Sequence, residues 1–304
     1  MISIARHVGW LATAATTTAL LASCGVGTSA DPSTEATIPT QEKDAALHAE
    51  LPADIRKAGV VKIGTEALYP PFESLASDNS TIVGLDPDLT KALGELLGVE
   101  VSLTNTAFDG LLTALDGGRF DMVVAAVTDT PEREAEYDFV DYFLTGQSIV
   151  VKKGNPEGIE GIDDLCGRPV AVLKASTQEK LLHRFNNNEC KADPITVTPF
   201  QSDRDALVQV QTGRAEASFT QDAVGVYNSR EIGGGNQFEV ANSEALLPTP
   251  VGIVFDKDDK QLRDAVRSAV QELIDNGTYA EILAKHQMEQ GAVETAGINQ
   301  GGAQ

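Results

Sequence analysis

Between residues 60 and 275, short apolar runs alternate with stretches whose apolar residues recur every three or four positions. A run that is apolar throughout marks a strand covered on both faces, and the amphipathic stretches are the helices that cover it. Residues 60–64 read as the first strand, after a short helix over 44–57. Leu85, Leu89, Leu93 and Leu97 then recur at four-residue spacing and Gly98 follows, which predicts an amphipathic helix with a glycine stop. A strand over 99–103 and a short helix over 108–115 come next, and the apolar run 121–127 reads as a parallel strand. The same order repeats as strand 169–173, helix 177–185, strand 195–198, helix 203–212 and strand 217–220. A strand over 251–255 leads to Leu262, Val266, Val270 and Leu273, a long helix stopped at Asn276-Gly277. This grammar predicts α/β units with parallel sheets, and two such blocks, each too small for the whole chain, predict two lobes.

The N-terminus fixes the compartment. Residues 1–23 have a basic start at Arg6, an apolar middle over 8–21 and small residues before Cys24. The middle is too short to span a bilayer, so it reads as an export signal. The run Leu21-Ala22-Ser23-Cys24 resembles a bacterial lipobox, which implies cleavage before Cys24 and acylation of its thiol; the alternative is an ordinary secretory signal with an incidental cysteine. Residues 24–43 are small, polar and rich in Pro, Thr and Ser, without apolar periodicity, and read as a flexible tether. The 304-residue chain has 23 Lys and Arg against 45 Asp and Glu, a net charge of -22. Nucleic-acid binding draws on basic patches, so this balance argues against it. Cys166 and Cys190 are the cysteines left to an exported chain and read as one disulfide closing a loop of about 25 residues, worth about 3 kcal/mol; two buried free thiols are the alternative. His7, His48, His183 and His286 have no ligand spacing, so neither a metal nor another cofactor is expected.

Several short segments carry a family likeness. They are Gly64-Thr65-Glu66-Ala67-Leu68-Tyr69-Pro70-Pro71-Phe72-Glu73, Gly84-Leu85-Asp86-Pro87-Asp88-Leu89, Phe108-Asp109-Gly110-Leu111, Thr128-Asp129-Thr130-Pro131-Glu132-Arg133 leading to Asp138-Phe139, and Asn276-Gly277-Thr278-Tyr279. In this order and spacing, residues 61–286 resemble the extracellular solute-binding proteins of bacterial ABC importers, in the polar amino acid group. The resemblance implies a type II periplasmic-binding-protein fold: two α/β lobes joined by two crossing strands, with a ligand cleft between them. Lobe 1 would be 44–143 plus 252–288 and lobe 2 would be 148–246, with crossings near 143–147 and 247–251. Residues 289–304 read as a disordered tail.

The resemblance also assigns the cleft. Thr130 and Pro131 read as the N-cap and first residue of a helix, whose free N–H groups favour an anion. Arg133 adds a planar fork that grips a carboxylate with two parallel bonds. The family places the ligand α-carboxylate there, with Thr128 and the backbone at Ala126. Ser176 and Thr177 would approach it from lobe 2, beside Ala175, where the family usually has glycine. The α-ammonium needs a carboxylate after the strand 217–220, but Gln221 stands at that position with Asp222 one residue late; Asp222 is the favoured partner. Tyr69 and Phe108 match rings that sandwich the ligand side chain, and Glu66 matches an acid that reads its far end. With the acidic surface, Glu66 tilts the ligand towards a cationic or amide side chain. The expected role is that of a monomeric, lipid-anchored receptor that closes on a polar amino acid and docks on a permease powered by an ATPase, not an enzyme. The alternatives are an exported dehydratase of aromatic amino acid precursors, with Glu66 or Glu73 as acid, and a sensor domain, against which counts the lack of any output segment after Gln304.

Overall fold

The computed structural model describes residues 38–302. The signal sequence, Cys24 and tether residues 24–37 lie outside them, as do residues 303–304. The expected helix over 44–57 is two helices, α1 (Ala45–Glu50) and α2 (Ala53–Ala58), because Pro52 cannot continue a helix from the turn before it. Strand β1 (Val60–Thr65) follows. A small antiparallel sheet of β2 (Leu68–Tyr69), β3 (Glu73–Leu75) and β4 (Ile82–Val83), too short to leave a periodic signal, then leads to α3 (Leu85–Leu97). Gly84 opens α3 at φ 136°, where an added Cβ would lie 2.2 Å from the Phe72 carbonyl oxygen. Gly98 closes α3 in the left-handed region.

The next elements are β5 (Glu100–Asn105), α4 (Leu111–Asp116), β6 (Met122–Val123), α5 (Pro131–Glu134) and the long β7 (Tyr137–Lys152). The apolar run 121–127 keeps strand geometry only at β6. Ala126 turns to φ 46° and bends the buried chain away from the ladder. Then come β8 (Pro169–Leu173), α6 (Thr177–Asn187), β9 (Thr196–Phe200), α7 (Asp203–Thr212), β10 (Ala217–Gln221), α8 (Asp222–Glu231), β11 (Phe238–Val240), the returning strand β12 (Leu246–Asp256), α9 (Lys260–Asp275), α10 (Thr278–Lys285) and β13 (Gly297–Ile298).

The main sheet runs β5-β1-β6-β12-β7-β10-β8-β9. Its outer pairs are parallel, as expected, whereas β7 and β12 pair antiparallel with each other and with their neighbours. The sheet is therefore mixed: two strands cross between the halves in opposite directions, with Thr145 opposite Thr249 at the crossing. One half packs Val61, Ile63, Leu89, Leu93, Ile253, Val266 and Val270 into a core. The other packs Ile149, Val170, Val172, Leu182, Phe185 and Phe219. Cys166 and Cys190 are joined by a disulfide inside this second half.

Both ends of the described chain differ from expectation. The tether shortens, since Ile38 packs on the first core and Gln41 donates to Glu95 at 2.9 Å and to Thr278 at 3.0 Å. The tail expected to be disordered is a strap. Gly291 sits against the Phe143 ring, and β13 pairs with β7 at Val140 and Asp141. The Gln300 and Gly301 N–H groups donate to Asp141 and Asp129 at 3.1 and 2.9 Å. These partners lie far away in sequence, which is why local composition gave no sign of order.

Candidate functional site

Arg133 is the fixed point of the site. Thr130 caps α5 by accepting the Arg133 N–H at 3.3 Å, and Pro131 starts the helix. The guanidinium is then sent inward rather than to solvent. It is 6% exposed, donates through Nη1 to the Thr128 carbonyl at 2.8 Å and to Thr177 Oγ1 at 3.1 Å, and through Nη2 to the Ala175 carbonyl at 3.4 Å. Its Cζ lies over the Phe108 ring, 5.9 Å from the centroid. Burial lowers its pKa to about 10 and it stays charged at neutral pH; the Asp129 and Glu132 charges act in the opposite direction. Among the described residues no carboxylate forms an ion pair with it. A buried cation held only by neutral oxygens is a strong attractor for an anion.

The second lobe meets it with the start of α6. Ser176 is occupied as the N-cap: its hydroxyl accepts from Glu179 and donates to the Leu173 carbonyl. Thr177 supplies the hydroxyl that reaches Arg133. Ala175 sits at φ 61°, a left-handed conformation that suits the glycine of the family pattern and strains alanine by about 1 kcal/mol. Ala126 is strained likewise, so each lobe bends its backbone where it turns a carbonyl to the cleft.

Gln221 and Asp222, the two candidates for the ligand ammonium, have different partners. Gln221 ends β10, is 2% exposed, and donates through Nε2 to the Ala126 carbonyl at 2.9 Å and to Thr128 Oγ1 at 3.2 Å. Its Oε1 has no partner. Asp222 opens α8 and accepts a short bond from Ser148 on the crossing strand β7. Gln221 is the last residue of β10 and Asp222 the first of α8, so the change from strand to helix parts the two side chains: Gln221 meets lobe 1 and Asp222 meets Ser148.

Tyr69 is buried against the second lobe. Its hydroxyl pairs with Thr220 Oγ1 at 3.1 Å and accepts the Gln221 N–H at 3.3 Å. Glu66, just past β1, is 2% exposed and neither carboxyl oxygen has a partner. Burial, followed by the charges of Asp203 and Asp109, pushes it up to about 8. Asp203 is a residue that sequence reading missed, because an acid in the first turn of α7 reads as an ordinary helix start. It is 2% exposed; one oxygen accepts from Asn228 at 3.2 Å and the other has no partner. Burial raises it to about 6, against the lowering effect of the nearby Thr220 hydroxyl and of the Asn228 amide. Beside it a cavity of about 500 Å³ opens between the lobes, lined by Ala67, Leu68 and Pro70 on one side and Asp203, Leu207 and Tyr227 on the other. Lys174 on lobe 2 closes the rim by pairing with Asp109 on lobe 1 at 2.8 Å. The facing surfaces of the lobes thus carry a buried cation at Arg133 and buried acids at Glu66 and Asp203.

Comparison with known proteins gives the family. The chain is similar to an arginine-binding protein of Corynebacterium glutamicum, 28% identical over 257 residues, with 84% of this chain and 83% of that one covered. It is likewise 29% identical to an L-cystine-binding protein of Bacillus subtilis, over 88% of this chain and 92% of that one. Among solved structures, an ancestral arginine-binding protein bound to arginine superposes with a TM-score of 0.69 at 33% identity, covering 75% of this chain and 98% of its own. An ancestral amino acid-binding protein described as a precursor of cyclohexadienyl dehydratase gives 0.69 at 32% identity, covering 77% and 97%. The two-lobed architecture with paired crossing strands is that of type II periplasmic binding proteins. Since the model of the family matches residues 61–289, a span that holds Arg133 and every cleft residue described above, the chain belongs to the bacterial extracellular solute-binding proteins, family 3.

Proposed function

We propose that this protein is the lipid-anchored receptor of an amino acid ABC importer, which closes on a polar amino acid outside the cytoplasmic membrane and delivers it to a permease driven by an ATPase. The observation that carries this reading is Arg133, a buried guanidinium on lobe 1 bonded across the cleft to Thr177 and Ala175 on lobe 2. A ligand carboxylate on that fork would engage both lobes at once, so binding would shift the hinge population towards closure. Similarity to amino acid-binding proteins supports the ligand class, and the lipobox at Cys24 supports the anchor. A tether from that lipid would hold the receptor near its permease at high effective concentration. One acyl chain anchors only marginally, so two or more are required.

Trp10, the sole tryptophan, lies in the signal sequence, so titration calorimetry is the method of choice. Among the twenty amino acids, one or a few should bind, and Arg133→Ala should abolish that binding; no binding by any of them would overturn the reading. Cells fed an alkynyl fatty acid should label the wild type but not Cys24→Ser.

A dehydratase is the second reading, favoured by one observation: Glu66, pushed up to about 8, holds its proton at neutral pH, as a general acid must. Turnover of a prephenate-like substrate, lost in Glu66→Gln, would establish it in place of the receptor.

A further inference from the structure

The two ends of the cleft are unequally provided with charge, and the imbalance has a direction. Beside Arg133, the acceptors within reach of an α-substituent are the Ala126 carbonyl and Thr128 Oγ1, and the Gln221 amide donates to both. The protein itself supplies N–H donors where a ligand ammonium would otherwise be the donor. The group opposite is a neutral amide oxygen, which binds an ammonium more weakly than a carboxylate does. Towards the other end, Glu66 from lobe 1 and Asp203 from lobe 2 are each 2% exposed, and three of their four carboxyl oxygens have no partner. Such oxygens, buried and unbonded, are costly unless they are protonated or bonded by a donor from outside the chain. Asp203 borders the interlobe cavity, whose lobe 1 wall includes Ala67, the residue next to Glu66.

We infer that Asp203 is a specificity-determining residue: with Glu66 it forms a carboxylate pair across the cleft that holds the cationic end of the ligand, while Gln221 makes the α-ammonium dispensable. Recognition then rests on a carboxylate at Arg133 and a distal ammonium or guanidinium, with the α-amino group contributing little. This rests on the receptor reading proposed above. The titratable groups near Glu66 are Asp203 on α7, Asp109 (itself paired with Lys174) and the buried Glu73 on β3. At neutral pH Glu66 holds a proton that a bound cation would displace, so binding should release a proton.

The test uses the full-length protein in detergent, titrated with L-arginine, with 5-guanidinopentanoate (arginine without its α-amino group), with citrulline (neutral side chain) and with agmatine (no carboxylate). Expected is that 5-guanidinopentanoate binds within about tenfold of arginine, while citrulline and agmatine bind at least about 100-fold more weakly. Asp203→Asn should weaken both arginine and 5-guanidinopentanoate by about 10- to 100-fold. Gln221→Asp should restore a preference for the α-amino compound. Calorimetry at pH 7 in buffers of different ionisation heat should record proton release that Glu66→Gln removes. Should Asp203→Asn fail to fold, the ligand series and Gln221→Asp decide alone. The inference falls if 5-guanidinopentanoate is lost while arginine binds, or if Asp203→Asn binds arginine as the wild type does. Binding of a neutral amino acid alone, sensitive to Arg133→Ala, would overturn this inference and leave the receptor reading standing. No binding by any amino acid or analogue would overturn both.

Discussion

Ala175 shows how a single residue reports the purpose of a site. Its left-handed backbone, φ 61°, is costly for any residue with a Cβ, yet it turns the carbonyl onto Arg133 and leaves Ser176 free to cap α6. Ala175→Gly removes the clash but enlarges the conformational freedom of the unfolded chain. The two effects oppose each other, and relief of about 1 kcal/mol at a left-handed position is expected to outweigh the entropic loss. The substitution should therefore raise the melting temperature by a few degrees, measured calorimetrically, with affinity little changed. Arg133 is less forgiving: Arg133→Lys should bind ligand almost as poorly as Arg133→Ala, because an ammonium cannot make two parallel bonds to one carboxylate.

Among the elements, the strap over 292–302 is the least conventional and the easiest to test. It has little secondary structure, and its order comes from main-chain donors meeting acidic side chains and from the Arg267 guanidinium bonding the Ala296 carbonyl at 3.1 Å. It lies behind α5, the helix that aims Arg133. Removing residues 292–304 should cost about 2–4 kcal/mol at roughly 1 kcal/mol per bond lost, read as a lower urea midpoint. Gly301→Ala is the gentler variant, since its Cβ would come within 2.6 Å of the Asp129 backbone and displace the strap without shortening the chain. A protein with unchanged stability after both changes would deny the strap any structural role.

Across the whole molecule, the buried acids of the described residues other than Asp138 form no ion pair. Burial raises Glu66 to about 8, Asp129 and Asp141 to about 7, and Asp86 to about 6. Glu73 is raised well above the carboxylate range by burial and by its neighbour Asp86. A carboxyl whose folded pKa exceeds its unfolded one keeps its proton in the folded state. Its contribution is complete below the unfolded value, near 4, and is lost as pH rises through the folded value. Asp88, Glu95 and Asp138 are shifted in the opposite direction by their bonded partners, although burial opposes it. Those contributions vanish only in acid, below about pH 4. The ligand-free protein should therefore be more stable at pH 5.5 than at pH 8, its melting temperature falling by about 2–4 °C for each kcal/mol lost. A flat profile across that window would mean that these groups are ionised in the fold.

The α/β order, the glycine stops, the capped helix before Arg133 and the disulfide partners were legible in the chain, because each rests on neighbours within a few residues or on residue type. The three-stranded side sheet, the strap, the inward turn of Asp203 and the separate partners of Gln221 and Asp222 were not. Each depends on which residues from distant segments meet once the fold has packed. A sequence can give a residue its chemistry; the packed fold decides which way that chemistry points and what lies opposite it.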